Sequence, residues 1–206
     1  MEIGIGLSQH QLDLIRIYLD ELCDWNRRIN LTGLSGRERI VVELFLDSLI
    51  PAPFLPKEGR MLDVGSGAGF PGLPLKILNP HLKTHLLEAN SKKVSFLKQV
   101  IRLLQLKEVK VIRGRIEKDE NNLHGDGYHI ITARALANLG QTIVWCTPLL
   151  CPDGLLVSFL GPRAKEEIEA TRAVMEGHGL RVHKMIRYFL PGKEAERNIV
   201  LFEKRA

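Results

Sequence analysis

The chain has few cysteines, and none is spaced for a disulfide framework or a metal site. Only three of its 206 residues are cysteine, namely Cys23, Cys146 and Cys151. Their odd number and the lack of a Cys-x-x-Cys pair argue against both arrangements. The seven histidines show no metal-ligand spacing either. We therefore expect no bound metal, and we expect Cys146 and Cys151 to pack in the core.

Long apolar runs are also missing. No stretch approaches the ~20 apolar residues of a membrane span, and the first residues lack the basic start and apolar middle of a secretion signal. We therefore expect a cytoplasmic protein that does not enter the membrane. Apolar residues make up 45% of the chain and charged residues 26%, as in ordinary globular proteins. A chain of this length and apolar content can bury a hydrophobic core.

Acidic residues are outnumbered by basic ones. The formal net charge is +5, and a modest positive excess favours a polyanionic partner through release of counterions. The same charge is equally compatible with a basic surface that binds no nucleic acid, so charge alone does not decide between these alternatives.

The first part of the chain has the periodicity of two helices. Ser8 and Gln11 form a possible capping box before a long amphipathic helix. Ser35 and Glu38 repeat this signal before a second helix, which the prolines from Pro51 onward end. The predicted buried faces are Leu12, Ile15, Leu19, Leu22, Trp25 and Ile29 in the first helix, and Ile40, Val41, Leu44, Phe45 and Leu49 in the second.

After residue 56 the pattern changes to short apolar runs that alternate with helical segments. The runs are 61–64, 84–87, 109–112, 130–133 and 155–160. This alternation predicts βαβ units and a parallel sheet. Two later runs, 180–189 and 198–202, leave no room for a helix between them and predict a closing antiparallel hairpin. The predicted organisation is a helical extension (1–56) followed by an α/β domain (57–206).

The segment 62–72 reads LDVGSGAGFPG and links a predicted strand to a helix that Pro71 can start. Its glycines are Gly65, Gly67, Gly69 and Gly72. Glycines allow unusual turn dihedrals and let a ligand approach the backbone, and the N–H groups of a helix start can face an anion. Glu88 ends the next run, about 20 residues on, where an acid can accept the hydroxyls of a ribose. The segment therefore predicts a nucleotide-type cofactor, although a purely structural glycine turn is an alternative.

Two details favour S-adenosylmethionine over a dinucleotide. Asp63 precedes the first glycine, so that the segment resembles motif I of class I methyltransferases, D-x-G-x-G-x-G. A carboxylate suits a cationic amino-acid group, directly or through water, and would repel a pyrophosphate. In addition, Phe70 stands at the third glycine place of a G-x-G-x-x-G read from Gly65. The same G-x-G-x-x-G pattern is present when it is read from Gly67 to Gly72, so a dinucleotide remains the alternative.

The segment after the fourth predicted strand limits which kind of methylation the chain can carry out. Residues 132–135 read TARA and lack the Asn or Asp, two prolines and aromatic residue that are common in methylation of exocyclic amines. Neither Cys146 nor Cys151 lies in the Pro-Cys pair that methylation of pyrimidine carbon 5 would use. Guanine N7 carries no proton, so alignment with the methyl donor can suffice. Arg134 should project from the ligand edge towards a carboxylate, a phosphate or guanine O6, unless it forms a surface ion pair.

Two lysines are candidates for contact with RNA. Lys92 and Lys93 follow a possible helix cap at Ser91, where cations oppose the helix dipole. They either face phosphate beside the cofactor pocket or are simply solvated.

Several segments together resemble one family, the small-subunit rRNA guanine-N7 methyltransferases, also called RsmG or GidB. The resemblance covers nearly the whole chain and rests on Trp25-Asn26 with Asn30-Leu31-Thr32, Leu46-Asp47-Ser48-Leu49, the 62–72 segment, 113–117, 133–135 and Arg197-Asn198-Ile199-Val200. It implies that Gly65 and Phe70 line the cofactor pocket, that Glu88 binds the ribose, and that Ile116 and Glu117 flank the adenine.

The resemblance also implies that Arg134 reaches the cofactor or the substrate and that Asn30 and Arg197 lie near an opening that faces RNA. The alternatives are a helix C-terminal cap for Asn30 and a surface charge for Arg197. The sequence departs from the family at Glu43-Leu44, where Arg-His is usual, at Leu160 in place of a lysine, and at His129 in place of an aspartate.

We therefore predict a Rossmann-like, class I S-adenosylmethionine-dependent methyltransferase sheet with an N-terminal helical extension. The predicted reaction is methylation of guanine N7 in 16S rRNA, by a monomer, within a small ribosomal subunit or its precursor. A dinucleotide-dependent oxidoreductase and an inactive, methyltransferase-like RNA-binding module are the alternatives.

Overall fold

The N-terminal extension begins with the predicted long helix. In a computed structural model, which describes residues 4–119, 123 and 125–205, α1 spans Gln9–Ile29. The backbone N–H of Gln11 donates to Ser8 Oγ (3.2 Å), and that of Ser8 donates to Gln11 Oε1 (2.9 Å). The predicted capping box is therefore confirmed.

The second helical segment differs from the prediction at its start and in its middle. It consists of α2 (Arg37–Ile40), a π-helical stretch (Val41–Leu46) and α3 (Asp47–Leu49), and a short 3₁₀ turn (Ala52–Phe54) follows. The predicted cap at Ser35 is wrong, because Gly36 precedes the first turn and no side chain caps it.

Two residues of the predicted buried faces are exposed. Val41 is 37% exposed, because the wider π-helical turn that begins there changes which side faces the core. Leu12 is 45% exposed, because the packed face of α1 begins only at Leu14 and Ile15.

The rest of the chain forms one seven-stranded sheet with helices. The elements are β1 (Gly59–Val64), α4 (Gly72–Leu78), β2 (Leu82–Glu88), α5 (Ser91–Leu103), β3 (Val109–Arg113), β4 (Tyr128–Arg134), α6 (Leu139–Cys146), a 3₁₀ turn (Thr147–Leu149), β5 (Leu150–Leu160), α7 (Ala164–Ala170), α8 (Arg172–Gly177), β6 (Leu180–Tyr188) and β7 (Arg197–Lys204). The strand order is β3-β2-β1-β4-β5-β7-β6. Strands β1 to β5 are parallel, and β7 is antiparallel to both β5 and β6. The predicted parallel sheet and closing hairpin are confirmed.

The strand order places the carboxyl ends of β1, β2 and β4 next to one another at one edge of the sheet. From β1 the chain runs outward through β2 and β3, and then returns to the other side of β1 as β4. In the register of these strands, Val64 pairs with both Leu87 and Ala133. The residues that follow β1 and those that end β2 and β4 therefore meet at a topological switch point, where ligands of open α/β sheets bind.

The extension shares its core with the α/β domain. The ring of Tyr18 stacks on Phe70 with a centroid separation of 5.3 Å and meets Phe45 edge-on at 5.0 Å. Its hydroxyl donates to the carbonyl of Ala68 in the glycine loop. The boundary after residue 56 thus divides the sequence pattern, while α1 and the glycine loop pack in one apolar cluster.

On the other face of the sheet, α6 packs through Ile143 and Cys146. Cys146 is fully buried, and this burial raises the pKa of its thiol to about 12. The predicted packing role of Cys146 is confirmed, whereas Cys151 is only half-buried. Among the residues that the structure describes, no helix is both long and apolar enough to cross a membrane.

The contact between Tyr18 and Ala68 gives a test of the shared core. Tyr18→Phe keeps the ring but leaves the buried carbonyl of Ala68 without this donor. We expect the free energy of unfolding in urea to fall by about 1–2 kcal/mol. Leu12→Ala on the exposed side of the same helix is the control and should change it by less than ~0.5 kcal/mol. Equal stabilities of Tyr18→Phe and the unsubstituted protein would contradict this role of the hydroxyl.

Candidate functional site

The glycine loop joins β1 to α4 and requires its glycines. Gly65, Gly67 and Gly69 have φ angles of 69°, 59° and 95°, a region that L-residues with side chains rarely adopt. A Cβ atom on Gly72 would lie 2.6 Å from the side chain of Leu86 and 2.8 Å from Asp63 Oδ2. Pro71 was predicted as the first helical residue, but it is the N-cap of α4, and the helix begins one position later at Gly72.

Asp63 lies beneath the loop, and each of its two carboxylate oxygens accepts a hydrogen bond from another part of the chain. Its Oδ1 accepts from Thr132 Oγ1 (2.6 Å) and its Oδ2 accepts from the backbone N–H of Gly72 (3.2 Å). Its exposed fraction is 1%. Burial raises the pKa of Asp63 above its ordinary value, and the hydrogen bond from Thr132 opposes that rise. The carboxylate thus ties β1, β4 and the start of α4 together.

Glu88 ends β2 beside the loop, where the sequence predicted it. Its Oε2 accepts from the backbone N–H of Gly67 (2.8 Å), and its Oε1 accepts from that of Asn90 (2.7 Å). Each carboxylate oxygen can accept a second hydrogen bond. Glu88 therefore fixes the loop and keeps acceptor capacity for a ligand.

A cleft of about 190 Å³ lies beside Gly65 and Glu88. Its other lining residues are Val64, Leu87, Ala89, Gly114, Arg115, Ile116, Glu117, Leu136 and Trp145. The structure brings the predicted Ile116 and Glu117 to this cleft, together with Leu136 and Trp145, which sequence reasoning missed. The available signal was their place just after β4 and on α6, next to the switch point.

Phe70 occupies a different place from Gly65. Its side chain is 5% exposed and packs in the aromatic cluster with Tyr18 and Phe45. Its backbone N–H donates to the carbonyl of Ser66 (3.0 Å). The ring of Phe70 therefore supports the glycine loop from below, and neither Phe70 nor Gly69 is among the residues that line the cleft.

Arg134 ends β4 as predicted and is held by the extension. Its Nη1 lies 3.2 Å from Asp47 Oδ2 and 3.4 Å from the carbonyl oxygen of Glu43. The side chain of Arg134 is 23% exposed, whereas that of Asp47 is 1% exposed. An ion pair is thus present, but its acidic partner is buried.

Asp47 is the charged residue that sequence reasoning missed. Its Oδ1 accepts from the hydroxyl of Tyr188 (2.6 Å) and from Nη1 of Arg197 (3.2 Å). Arg197, predicted at the RNA-facing opening with a free surface charge as the alternative, is in fact paired and one-third exposed. The available signal for Asp47 was its place in the Leu46–Leu49 segment of the family resemblance.

Glu43 lies next to this pair and gathers further cations. Its carboxylate lies 2.9 Å from Lys193 Nζ, 3.0 Å from Arg39 Nε and 3.7 Å from Arg197 Nη2. The hydrogen bond from Lys193, followed by that from Arg39, lowers the pKa of Glu43 below its ordinary value. The acid at this unusual position therefore neutralises part of a basic cluster.

The other predicted RNA contacts lie on two helix ends. Asn30 caps α1 with a φ of 43°, and its Oδ1 accepts from Gly33 N (3.0 Å), so the capping alternative is present. Asn90 caps α5, so the predicted cap at Ser91 is wrong. Its Oδ1 accepts from the backbone N–H groups of Lys92 and Lys93 at 2.9 and 3.4 Å. The side chain of Lys92 is exposed and that of Lys93 is half-buried.

Comparison with known proteins identifies relatives of nearly the whole chain. The family model for rRNA small subunit methyltransferase G (GidB) matches residues 11–200. A protein named ribosomal RNA small subunit methyltransferase G from Alkaliphilus metalliredigens is 36% identical over 98% of this chain and 86% of its own length. Its counterpart from Bacillus cereus is 37% identical over 99% of this chain and 87% of its own length.

The chain belongs to the rRNA small subunit methyltransferase G family. Solved structures agree on the fold. A SAM dependent methyltransferase from Aquifex aeolicus superposes with a TM-score of 0.61 at 20% identity, covering 79% of this chain and 92% of its own. TYW2 from M. jannaschii, solved in complex with AdoMet, gives a TM-score of 0.60 at 13% identity over 98% of this chain and 80% of its own.

These comparisons confirm the predicted class I methyltransferase fold with an N-terminal helical extension. They also confirm the prediction of a methyltransferase. Neither the dinucleotide-dependent oxidoreductase nor the inactive RNA-binding module is favoured by the family to which the chain belongs.

The raised pKa of Asp63 gives a test of its buried position. The folded protein binds a proton at Asp63 more readily than the unfolded chain does, so folding gains stability as the pH falls through the acid range. Asp63→Asn cannot bind this proton. We expect the unfolding free energy of the unsubstituted protein to rise relative to that of Asp63→Asn as the pH falls from about 7 to about 4.

The measurement is urea denaturation of both proteins across this pH range. Asp153→Asn, which removes an exposed carboxylate within β5, is the control and should not reproduce the trend. A difference between the unsubstituted protein and Asp63→Asn that is constant with pH, or that changes in the opposite direction, would contradict the burial of this carboxylate.

Proposed function

We propose that this chain transfers a methyl group from S-adenosylmethionine to N7 of a guanine in 16S, small-subunit rRNA. The observation that carries the proposal is the cleft beside Gly65 and Glu88, at the switch point of the sheet, in a chain of this family. The relatives named above are themselves called rRNA small subunit methyltransferases.

The residues at the cleft suit the chemical parts of S-adenosylmethionine. Glu88 offers carboxylate oxygens to the ribose hydroxyls. Ile116 and Leu136 provide apolar walls for the adenine, and Glu117 lies beside them. Gly65 lacks a Cβ atom, which would lie only 3.3 Å from the side chain of Leu136 and would crowd this wall of the cleft.

The other predicted cofactor residues of this segment act indirectly, by stabilising the conformation of the glycine loop. Asp63 accepts from the N–H of Gly72, and Glu88 accepts from the N–H of Gly67. The ring of Phe70 stacks on Tyr18, and Gly69 lacks the Cβ atom that would collide with Tyr18 and Leu73. Their common effect is to keep the turn rigid, so that the backbone beside the cleft is preorganised.

The site supplies binding and orientation for methyl transfer. When bound, S-adenosylmethionine supplies an electrophilic methyl group on its sulfonium. Guanine N7 has an in-plane lone pair and no proton to lose, so no side chain has to act as a general base. Arg134 orients the guanine or the cofactor from the end of β4. Cys146 is excluded as a nucleophile by its buried thiol, whose pKa of about 12 keeps it protonated at neutral pH.

Basic residues near the ligand edge are proposed to meet the RNA. Lys92 and Lys93 lie in the first turn of α5, directly after the loop that follows Glu88. Asn30 and Arg197 complete the proposed contact set. Phosphate contact by such residues adds salt-dependent affinity without reading the base.

The proposed substrate form is the rRNA within a small ribosomal subunit or its precursor, in the cytoplasm where rRNA is assembled. We propose that the protein acts as a monomer.

The reaction is tested with methyl-labelled S-adenosylmethionine and small ribosomal subunits from a strain that lacks the corresponding enzyme. We expect label in 7-methylguanine at one position of 16S rRNA, mapped by chemical cleavage at that base. Label in another base would contradict the proposal. Cofactor and RNA binding without any methyl transfer would support the inactive RNA-binding module in its place. Parallel assays on naked rRNA identify the form of the substrate.

The ribose contact is tested by Glu88→Gln. This change removes the charge but retains the size of the side chain, and we expect the cofactor to bind about 10- to 100-fold more weakly, a loss of ~1.5–3 kcal/mol. Calorimetry with S-adenosylhomocysteine measures it. Glu176→Gln, at an exposed position on α8, is the control and should bind the cofactor normally. Unchanged affinity in Glu88→Gln would assign this acid to the loop alone.

A further inference from the structure

One buried carboxylate joins three separate parts of the chain at the ligand edge. Asp47 comes from the extension, Arg134 ends β4, and Tyr188 and Arg197 lie at the facing ends of β6 and β7. We refer to these four residues as the Asp47 cluster. All three donors reach the carboxylate within 2.6 to 3.2 Å.

The charge of Asp47 is already satisfied without Arg134. A buried carboxylate needs donors, because its removal from water is costly. Arg197 supplies an opposite charge, and Tyr188 supplies a hydroxyl. Burial, and then the neighbouring Asp47 carboxylate, raises the pKa of Tyr188 above its ordinary value, so that its hydroxyl stays protonated and donates.

Bringing Arg134 to the same carboxylate places two guanidinium groups side by side, and their mutual repulsion opposes this arrangement. A purely structural role for Asp47 does not require the third donor. The two carboxylate oxygens of Asp47 have different partners. Of the residues that the structure describes, Oδ2 accepts from Arg134 alone, whereas Oδ1 accepts from Tyr188 and Arg197 of the hairpin, so one oxygen of Asp47 is used to hold Arg134.

Only one corner of the Arg134 guanidinium is used by the protein. Nη1 bonds to Asp47 and to the carbonyl of Glu43, whereas Nε and Nη2 form no hydrogen bond within the part of the chain that the structure describes. A guanidinium has five N–H donors in a planar fork. One anchored corner therefore fixes the plane, and the opposite edge keeps its donors for a ligand.

We propose that Asp47 is a positioning residue, which holds Arg134 in the orientation that methyl transfer requires and thereby couples the extension and the hairpin to the reaction. The proposal rests on the function proposed above and on the role of Arg134 in it. An arginine without such an anchor has many rotamers, and a bound ligand would have to select one of them. Asp47 removes this freedom before the ligand binds.

The test is a double-mutant cycle of Asp47→Asn and Arg134→Ala, assayed with small ribosomal subunits from the deletion strain. Asp47→Asn keeps the shape and an acceptor for Tyr188 but removes the charge. Whichever quantity Arg134→Ala lowers, single-turnover rate or cofactor affinity, Asp47→Asn should lower the same one, by about tenfold. In the Arg134→Ala background Asp47→Asn should have no further effect, because residues that act through one contact are not additive.

Additive losses in the double variant, or a loss in the quantity that Arg134→Ala leaves unchanged, would overturn the proposal. Glu43→Gln is the matched control. It neutralises the neighbouring carboxylate, but Glu43 meets Arg134 only through its backbone oxygen. The single-turnover rate of Glu43→Gln should stay within about twofold of that of the unsubstituted protein. A tenfold loss would overturn the proposal, because the loss of any negative charge in this region would then have the same effect as Asp47→Asn.

A second variant covers the case in which Asp47→Asn does not fold. Tyr188→Phe removes one hydrogen bond to Asp47 and leaves every charge in place. We expect a loss of a few-fold in the same quantity, which vanishes in the Arg134→Ala background. Full activity of a folded Tyr188→Phe, or a loss that persists in that background, would overturn the proposal.

Failure of the proposed function would look different. If the unsubstituted protein methylates no guanine N7 in these subunits, the proposed function itself fails. If it does so but Arg134→Ala is fully active, the role of Arg134 fails and the proposal falls with it. A strong loss in Arg134→Ala together with an additive loss in Asp47→Asn contradicts only the positioning by Asp47.

Discussion

Two carboxylates that hold the backbone of the glycine loop are the constraint on which the rest of the site depends. Asp63 binds the N–H of Gly72, and Glu88 binds the N–H of Gly67. The loop has dihedrals that only glycines adopt readily, so without these bonds the turn would have little to define it. Because both acids lie on neighbouring parallel strands, the order of the sheet itself determines where the loop is fixed and where the cleft opens.

The extension contributes to this constraint through packing and through charge. Tyr18 packs its ring on Phe70 and bonds to Ala68, so α1 supports the loop from below. On the other side of the site, Asp47 receives Arg134 from the end of β4. The extension is thus part of the cofactor domain in a physical sense, although its sequence pattern differs.

Features that depend on residues near one another in the chain could be predicted from the sequence. The capping box at Ser8, the strands and the closing hairpin follow from periodicity, and the loop at 62–72 follows from glycine chemistry. The π-helical stretch that exposes Val41 has no comparable signal. Asp47 was missed because its partners lie 87, 141 and 150 positions away, and no local pattern tells which distant donors will surround a buried acid.

A crystal structure of the protein with S-adenosylhomocysteine tests the central claim most directly. If the glycine loop and Glu88 form the cofactor site, the ribose hydroxyls will lie within hydrogen-bond distance of the Glu88 carboxylate. The adenine will then lie against Ile116 and Leu136, with the Gly67 bond to Glu88 intact. A ligand bound in another groove, or a ribose turned away from Glu88, would contradict the account.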